Sequence, residues 1–153
     1  MVVSDLGRHP HFLPALVDGF FAEWPEWCGR VGRDVVRSIF EAGPAGSLPV
    51  ILVAHAGDEP LGTVALRAYF GEEAIPETPW VRQFLVFPRH RGRGVDRALS
   101  AAIERRALDL GYPMLYAATN RIERLLRRRG WEVFRTIEHE GRPMAWMRKP
   151  IGR

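Results

Sequence analysis

Apolar residues in the first 40 positions recur at intervals of three and four residues, which is the spacing of one helix face. The pattern runs over residues 12–24 and again over residues 31–40, where charged residues occupy the opposite side, and it predicts two helices. Pro14 falls in the first turn of the first helix, a position that tolerates proline. The second helix is expected to end at Gly43. A short apolar piece at residues 1–3 predicts a strand before both helices.

The rest of the chain alternates between short apolar runs typical of strands and two helical stretches. The predicted strands cover residues 50–55, 61–69, 80–87, 114–119, 131–138 and 143–149. The predicted helices cover residues 95–110 and 121–129, and each is followed by a glycine that can end it. The first two of these strands form a hairpin, and so do the last two. The order of elements predicts a single mixed α/β domain over residues 1–153.

The composition fits a globular protein, with 46% hydrophobic and 26% charged residues in a chain of 153. Cys28 is the only cysteine and the five histidines show no ligand spacing, so we expect no disulfide and no metal site. No apolar stretch approaches the ~20 residues that a membrane-spanning helix needs, and the chain starts without a basic segment followed by an apolar one. We therefore expect an unexported protein of the reducing cytoplasm with no membrane partner.

The basic residues are almost all arginine: of 22, only Lys149 is a lysine, and the net charge is +4 with a pI near 10.0. This balance indicates either an anionic partner or an arginine-prone genome. The arginines concentrate in residues 89–97 and 121–129. Because guanidinium forks suit phosphate, these two segments are the candidates for an anion site.

The first arginine cluster lies in a loop with the features of a phosphate site. A strand ending at Phe87 leads into a turn with Gly92 and Gly94, and the turn opens directly into a helix. Backbone N–H groups at such a helix start point outward at the positive end of the helix dipole. The glycines allow close backbone approach. A dinucleotide fold would need a third glycine, and a P-loop would need Gly-Lys-Ser/Thr, and this loop has neither.

These residues carry a resemblance to a known family. The pattern Arg89-x-x-Gly92-x-Gly94 after Val86-x-Pro88 resembles the acyl-CoA pyrophosphate signature of the GNAT N-acetyltransferase superfamily. The resemblance extends over essentially the whole chain, because the order of elements is also similar to that of the GNAT fold. It implies a central mixed, mostly antiparallel sheet flanked by helices.

A second segment supports the resemblance. Asn120 is followed by a short helix that ends at Gly130-Trp131, which is similar to the family's asparagine and its helix, glycine and aromatic segment. The family's C-terminal strands often pair between subunits, so the resemblance also implies that a homodimer is one option.

The resemblance implies acetyl-CoA as cosubstrate and a primary amine as acceptor, with direct attack of the amine on the thioester in a ternary complex. The backbone of residues 85–87 would bind the pantetheine arm, and the N–H groups of residues 91–96 would bind the pyrophosphate. Asn120 would contact pantetheine, and the N–H of Val86 or a neighbour would bind the carbonyl oxygen. The implied cofactor-binding residues are Leu85, Val86, Phe87, Arg89, Arg91, Gly92, Arg93, Gly94, Val95, Asp96 and Asn120.

Two positions depart from the family pattern. Asp96 replaces the small residue that commonly follows the glycine loop and places a carboxylate beside the expected phosphates; we interpret it as a residue of the first helical turn that could cap the helix. Leu126 stands where the family often has a tyrosine acid. Without a phenol there, either another group or solvent protonates the leaving thiolate, or the site is degenerate.

The general base has no obvious candidate on the strand before the loop, because that strand offers Arg82 and Gln83, which are not bases at neutral pH. The preceding acidic loop provides Glu73 and Glu77, which could attract a cationic amine and accept its proton. Tyr116 could donate a proton. The alternative for these three catalytic candidates is an ordinary solvated loop and a packed strand tyrosine.

Two other functional classes stay open beside the enzyme. The run of arginines at residues 124–129 could neutralise nucleic-acid phosphates, although the apolar face of the same helix favours packing with a solvated arginine face. A catalytically silent acyl-CoA-binding module is favoured by Leu126. Trp24, Trp27 and Trp80 either line an acceptor cleft or are simply buried.

Overall fold

The computed structural model describes residues 1–152, and its elements follow the predicted order. The strands are β1 (Val2–Asp5), β2 (Val50–Ala56), β3 (Glu59–Arg67), β4 (Trp80–Val86), β5 (Met114–Thr119), β6 (Glu132–His139) and β7 (Arg142–Pro150). The α-helices are α1 (Leu13–Glu23), α2 (Pro25–Val31), α3 (Arg33–Ser38), α4 (Val95–Asp109) and α5 (Glu123–Arg128). All seven predicted strands and the predicted helices after β4 are therefore confirmed, with ends that shift by a few residues.

The N-terminal helical region holds three helices, so the prediction of two was wrong. Trp24 adopts a non-helical conformation (φ −128°, ψ 63°) before Pro25, because proline disfavours the helical conformation of the residue that precedes it. Gly32 then adopts φ +91° between α2 and α3, a left-handed backbone conformation that glycine accepts readily. The first interruption coincides with the end of the apolar pattern at Trp24, whereas the second falls inside the pattern of residues 31–40, and α2 lies mostly between the two predicted segments.

The strands form one seven-stranded sheet in the order β1-β2-β3-β4-β5-β7-β6. Every neighbouring pair is antiparallel except β4 and β5, which are parallel. This arrangement confirms the mixed, mostly antiparallel sheet. No helix in residues 1–152 is long and apolar enough to cross a membrane.

Two apolar clusters hold helices against opposite faces of the sheet. The front face packs against α1 to α3 through Leu16, Val17, Phe20, Val36, Val53 and Leu85. The back face packs against α4 through Leu52, Val64, Leu66, Leu99, Ile103 and Leu115. These side chains are almost fully buried, and each contributes roughly 1.5–3 kcal/mol relative to an exposed position.

The sheet opens between β4 and β5. The two strands pair only at Trp80 and Tyr116 within the described residues, and they then diverge. A bulge in β4 accompanies the divergence, since Gln83 has φ +56° and the register with β3 shifts there. The side chain of Gln83 is fixed by hydrogen bonds from Arg67 to its Oε1 (3.0 Å) and from its own Nε2 to the carbonyl of Ile39 (3.1 Å). A bulge of this kind bends its strand away from the partner.

Candidate active site

A cavity of about 880 Å³ occupies the opening between β4 and β5. Its walls are residues 81–86 of β4 and Leu115 with residues 117–119 of β5, and the start of α4 and part of α5 complete it. Leu85 belongs to the apolar cluster of the front face, whereas Val86 packs with the back face. The cavity therefore runs through the sheet, and its size suits a small-molecule ligand.

The loop before α4 presents free backbone donors to this cavity. Among the described residues, none of the six backbone N–H groups from Gly92 to Arg97 has a hydrogen-bond partner. The first helical hydrogen bond runs from the N–H of Ala98 to the carbonyl oxygen of Gly94, at 3.1 Å. Gly92 and Gly94 adopt φ +76° and +84°. A Cβ built on Gly94 would meet no atom within 4 Å, so the loop leaves room for a ligand. Free donors at the positive end of a 15-residue helix form an anion site that fits a pyrophosphate.

The structure brings together most, but not all, of the predicted cofactor-binding residues. Seven of them line the cavity: Leu85, Val86, Arg91, Gly92, Gly94, Val95 and Asp96. Four do not. Phe87 packs under Gly19 of α1, Arg89 donates to Glu59 at 2.9 Å, and Arg93 and Asn120 are exposed at the rim. Their roles stay predictions.

The three catalytic candidates lie outside the cavity lining. Glu73 is exposed, and a carboxylate oxygen of Glu77 lies 3.9 Å from Arg135. The Tyr116 ring packs against the rings of Trp80 and Phe134, with 5.6 Å between centroids in both pairs. Glu77 and Tyr116 both contact Trp80, and no described contact joins any of the three candidates to the loop donors.

Ion pairs account for every carboxylate in the cavity lining. Glu23 pairs with Arg91 at 2.9 Å and Asp96 pairs with Arg129 at 2.9 Å. Glu104, the third, pairs with Lys149 at 3.0 Å. Asp96 lies in the first turn of α4 as predicted, but its side chain bonds Arg129 and makes no capping hydrogen bond. The expectation that it caps the helix was wrong, because a guanidinium from the end of α5 competes for the same oxygen.

Sequence reasoning missed the residues that α1 and β5 bring to the cavity. Glu23 and Trp24 line it from the end of α1. Arg91 links this end to β4, since its Nε donates to Val86 O at 3.0 Å while its Nη2 donates to Glu23. Thr119 also lines it, and its hydroxyl accepts the backbone N–H groups that precede α5. The one available signal was the Glu-Trp pair at the end of an amphipathic helix.

Leu126 lines the cavity, and none of the described lining residues is a tyrosine. The arrangement therefore supplies an apolar wall where the family often has a proton donor. Among residues 1–152, no three histidine, cysteine, aspartate or glutamate side chains are placed to hold a metal ion.

Solved structures with the same architecture provide the first comparison. An aminoglycoside 6'-N-acetyltransferase complexed with coenzyme A superposes with a TM-score of 0.82 at 16% identity, covering 100% of this chain and 98% of that one. The aminoglycoside 6'-N-acetyltransferase from Enterococcus faecium superposes with a TM-score of 0.80 at 16% identity, and the match covers 100% of this chain and 98% of that one. A Salmonella typhimurium protein described as an acetyltransferase was solved with acetyl-CoA. It superposes with a TM-score of 0.75 at 17% identity, and the match covers 100% of this chain and 95% of that one. At these identities the likeness shows the fold. No curated protein matches the sequence significantly.

The split sheet, the cavity through it and the free donors of the loop define a class of protein that holds a phosphate-bearing ligand across a sheet. The sequence profile of the acetyltransferase (GNAT) family matches residues 13–131. The chain therefore belongs to the GNAT acetyltransferase family, as the resemblance predicted, and its cosubstrate is acetyl-CoA.

Proposed function

We propose that this protein is an N-acetyltransferase that moves the acetyl group of acetyl-CoA to a primary amine by direct attack in a ternary complex. The observation that carries the proposal is the cavity that runs through the sheet. The loop donors serve one end of it, and an acceptor can reach the opening between β4 and β5 from the front face.

The backbone of β4 supplies a donor for the thioester carbonyl oxygen. Phe87 N–H bonds Leu61 O of β3 at 3.0 Å. Because successive N–H groups of a strand point in opposite directions, the N–H of Val86 points away from β3 and into the opening. A fixed donor at this position stabilises the negative charge that develops on the oxygen.

The transfer forms one C–N bond and breaks one C–S bond. The amine nitrogen attacks the carbonyl carbon, the electron pair of the C–S bond leaves on sulfur, and the nitrogen loses a proton. We propose Glu23 as the acceptor of that proton, directly or through water, because Arg91 bridges its carboxylate to Val86. Solvent protonates the thiolate, since thiols are modest acids and Leu126 cannot do so.

Glu23→Gln tests this role. The variant keeps the size of the side chain and a carbonyl acceptor for Arg91 but removes the base. We expect kcat to fall by about 100-fold while acetyl-CoA binding is retained, measured by thiol release and by calorimetry. An unchanged kcat would return the role of base to Glu73 or Glu77.

Cosubstrate binding itself is tested with Gly94→Trp, which places an indole in the path of the pyrophosphate. A ligand at ~100 times its Kd stabilises a protein by roughly 2.7 kcal/mol, so acetyl-CoA should raise the Tm of the wild type by several degrees and leave that of the variant unchanged. Gly46→Trp is the matched control, since Gly46 is exposed, has φ +81° and also has no atom within 4 Å of a built Cβ.

The assays also separate the other functional classes. Binding of acetyl-CoA without thiol release for any amine would indicate a silent acyl-CoA-binding module. A Tm shift with a DNA duplex and none with CoA would indicate a nucleic-acid-associated protein.

The proposal extends to the setting of the enzyme: one domain over residues 1–153 that works in the reducing cytoplasm. Burial raises the pKa of the Cys28 thiol, which keeps it protonated and unreactive. A homodimer would use β6, the C-terminal one of the two edge strands of the sheet, and size-exclusion chromatography with light scattering tests it.

A further inference from the structure

The cations of the cavity divide into two groups once the ion pairs are assigned. Arg91, Arg129 and Lys149 neutralise the three carboxylates. Three arginines in the lining have no ion pair within the described residues: Arg82, Arg97 and Arg121. Arg97, in the first turn of α4, and Arg121, after β5, lie at the end of the cavity where the loop donors would bind the phosphates. Arg82 lies elsewhere, on β4 next to the bulge.

Arg82 occupies an unusual electrostatic position. Its guanidinium stacks on the Phe70 ring, with 4.6 Å between the central carbon and the ring centroid, and it makes no hydrogen bond to any described residue. A second guanidinium, that of Arg67, lies close enough to repel it, and burial and this repulsion lower the pKa of Arg82. Arg67 bonds only the neutral oxygens of Ile39 and Gln83. A half-buried cation without an anion is costly.

Another donor near Arg82 also has no acceptor. The indole nitrogen of Trp146 is buried without a hydrogen-bond partner, and the Trp146 ring packs on the same Phe70 ring with 5.5 Å between centroids. Arg82 lines the cavity, and its guanidinium is flanked by a second cation, an unused N–H donor and an aromatic surface. Glu77, whose carbonyl accepts the indole N–H of Trp80 in the same aromatic cluster, pairs with Arg135, and no described carboxylate bonds Arg82.

We propose that the acetyl acceptor is a small primary amine that carries a carboxylate, and that Arg82 binds this carboxylate. The inference rests on the proposed acetyltransferase function and names its substrate class. The guanidinium fork matches a carboxylate with two parallel hydrogen bonds, and stacking on Phe70 fixes the plane of the fork. The same charge repels acceptors that carry several cations, which makes it a specificity determinant as well.

The spacing along β4 limits the size of such an acceptor. Arg82 and Val86 are four residues apart, which is ~13 Å in an extended strand and less across a bulge. The arginine side chain spans part of this distance. The amine and the carboxylate of the acceptor are then separated by a few bonds, as in an amino acid.

The experiment compares matched acceptors that differ in one group. Glycine and each proteinogenic L-amino acid with a primary α-amine is assayed beside its amide by thiol release with saturating acetyl-CoA. We expect kcat/KM to be higher for the free carboxylate by about 10- to 100-fold, the range for a hydrogen-bonded charge pair. Arg82→Gln removes this preference and leaves the amides and the KM for acetyl-CoA unchanged, and Arg82→Lys restores part of it. The control Arg105→Gln, an exposed arginine of α4, changes nothing.

Equal losses for acids and amides in Arg82→Gln, or a preference of the wild type for amides, would overturn the inference while the acetyltransferase function stands. If no amine supports thiol release, the proposed function fails instead. Calorimetry of the same amino acids with the CoA-loaded protein then decides the inference by itself. Carboxylate-dependent binding that Arg82→Gln abolishes supports it, and binding that is absent or unaffected overturns it.

Discussion

Replacing Trp80 with phenylalanine perturbs the point where β4 and β5 diverge. Trp80 is fully buried, and its indole N–H donates to the carbonyl of Glu77 at 2.8 Å. Its ring packs against those of Trp146, Phe70 and Tyr116, with centroid distances of 4.8, 5.5 and 5.6 Å. Phenylalanine keeps an aromatic ring there but cannot donate or fill the same volume.

The expected loss has two parts. The hydrogen bond contributes about 1 kcal/mol, and its removal leaves the Glu77 carbonyl without this partner. The smaller ring leaves unfilled space among three aromatic neighbours, which costs about 1–2 kcal/mol. The free energy of unfolding should therefore fall by about 2–3 kcal/mol. For a chain of this length, the Tm falls by about 4–12 °C.

Urea and thermal unfolding measure this change, and hydrogen exchange locates it. The Tyr116 N–H, which bonds Pro79 O at 3.0 Å, should exchange faster in Trp80→Phe. Trp27→Phe is the matched control, because Trp27 is half-buried on α2 and its indole has no hydrogen-bond partner among the described residues. A loss below about 0.5 kcal/mol in Trp80→Phe, or equal losses in both variants, would refute the reasoning.

Two further predictions concern stability. The two-pronged hydrogen bond with Arg106 (2.9 and 3.0 Å) lowers the pKa of Asp5 from its usual 3.8, so this pair stabilises the fold fully above pH 4 and the contribution is lost as the pH falls through the lower folded pKa. Asp5→Asn should cost about 0.5–1 kcal/mol at pH 7 in urea unfolding, and the difference should shrink in acid. Gly62→Ala should cost about 1–3 kcal/mol by thermal and urea unfolding, because a Cβ there would lie 2.6 Å from Leu85 O.

Two matched control variants test whether the losses come from the Asp5–Arg106 ion pair and from the close backbone approach at Gly62, or from any substitution of the same type. Asp109→Asn removes an exposed, single-contact pair with Arg105, and it should cost less stability at pH 7 than Asp5→Asn. Gly7→Ala adds a Cβ that meets nothing within 4 Å, so it should not destabilise the protein. If Asp5→Asn loses the same stability at pH 3 as at pH 7, the ion pair is not the cause, and a neutral Gly62→Ala would mean that β3 and β4 can separate freely.

The order of elements could be predicted because each one has a local signal. Adjacent residues specify the apolar strand before Pro88 and the glycine turn into α4. They also specify the hairpin turn at Glu140 and Gly141, where both residues have positive φ. Helix breaks were harder. Apolar spacing continues across Gly32, so only the backbone conformation of that residue reveals the boundary.

The site was predictable where it is made of consecutive backbone groups and not where distant side chains meet. The loop donors from Gly92 onward follow from a strand, a turn and a helix in succession. Glu23 and Arg91 are 68 positions apart, and no local pattern links them. That Arg82 has no carboxylate partner follows only once the ion pairs of the cavity carboxylates are assigned, which requires the whole fold.

The divergence of β4 and β5 also gives this sheet an internal edge. Unpaired strand borders usually occur at the outside of a sheet, where they recruit other chains and promote aggregation. Here such a border lies in the middle, between strands four and five of seven, and the proposed binding mode places the cosubstrate against it. In that binding mode acetyl-CoA would also cover unpaired backbone groups, so purification in its presence should suppress aggregation.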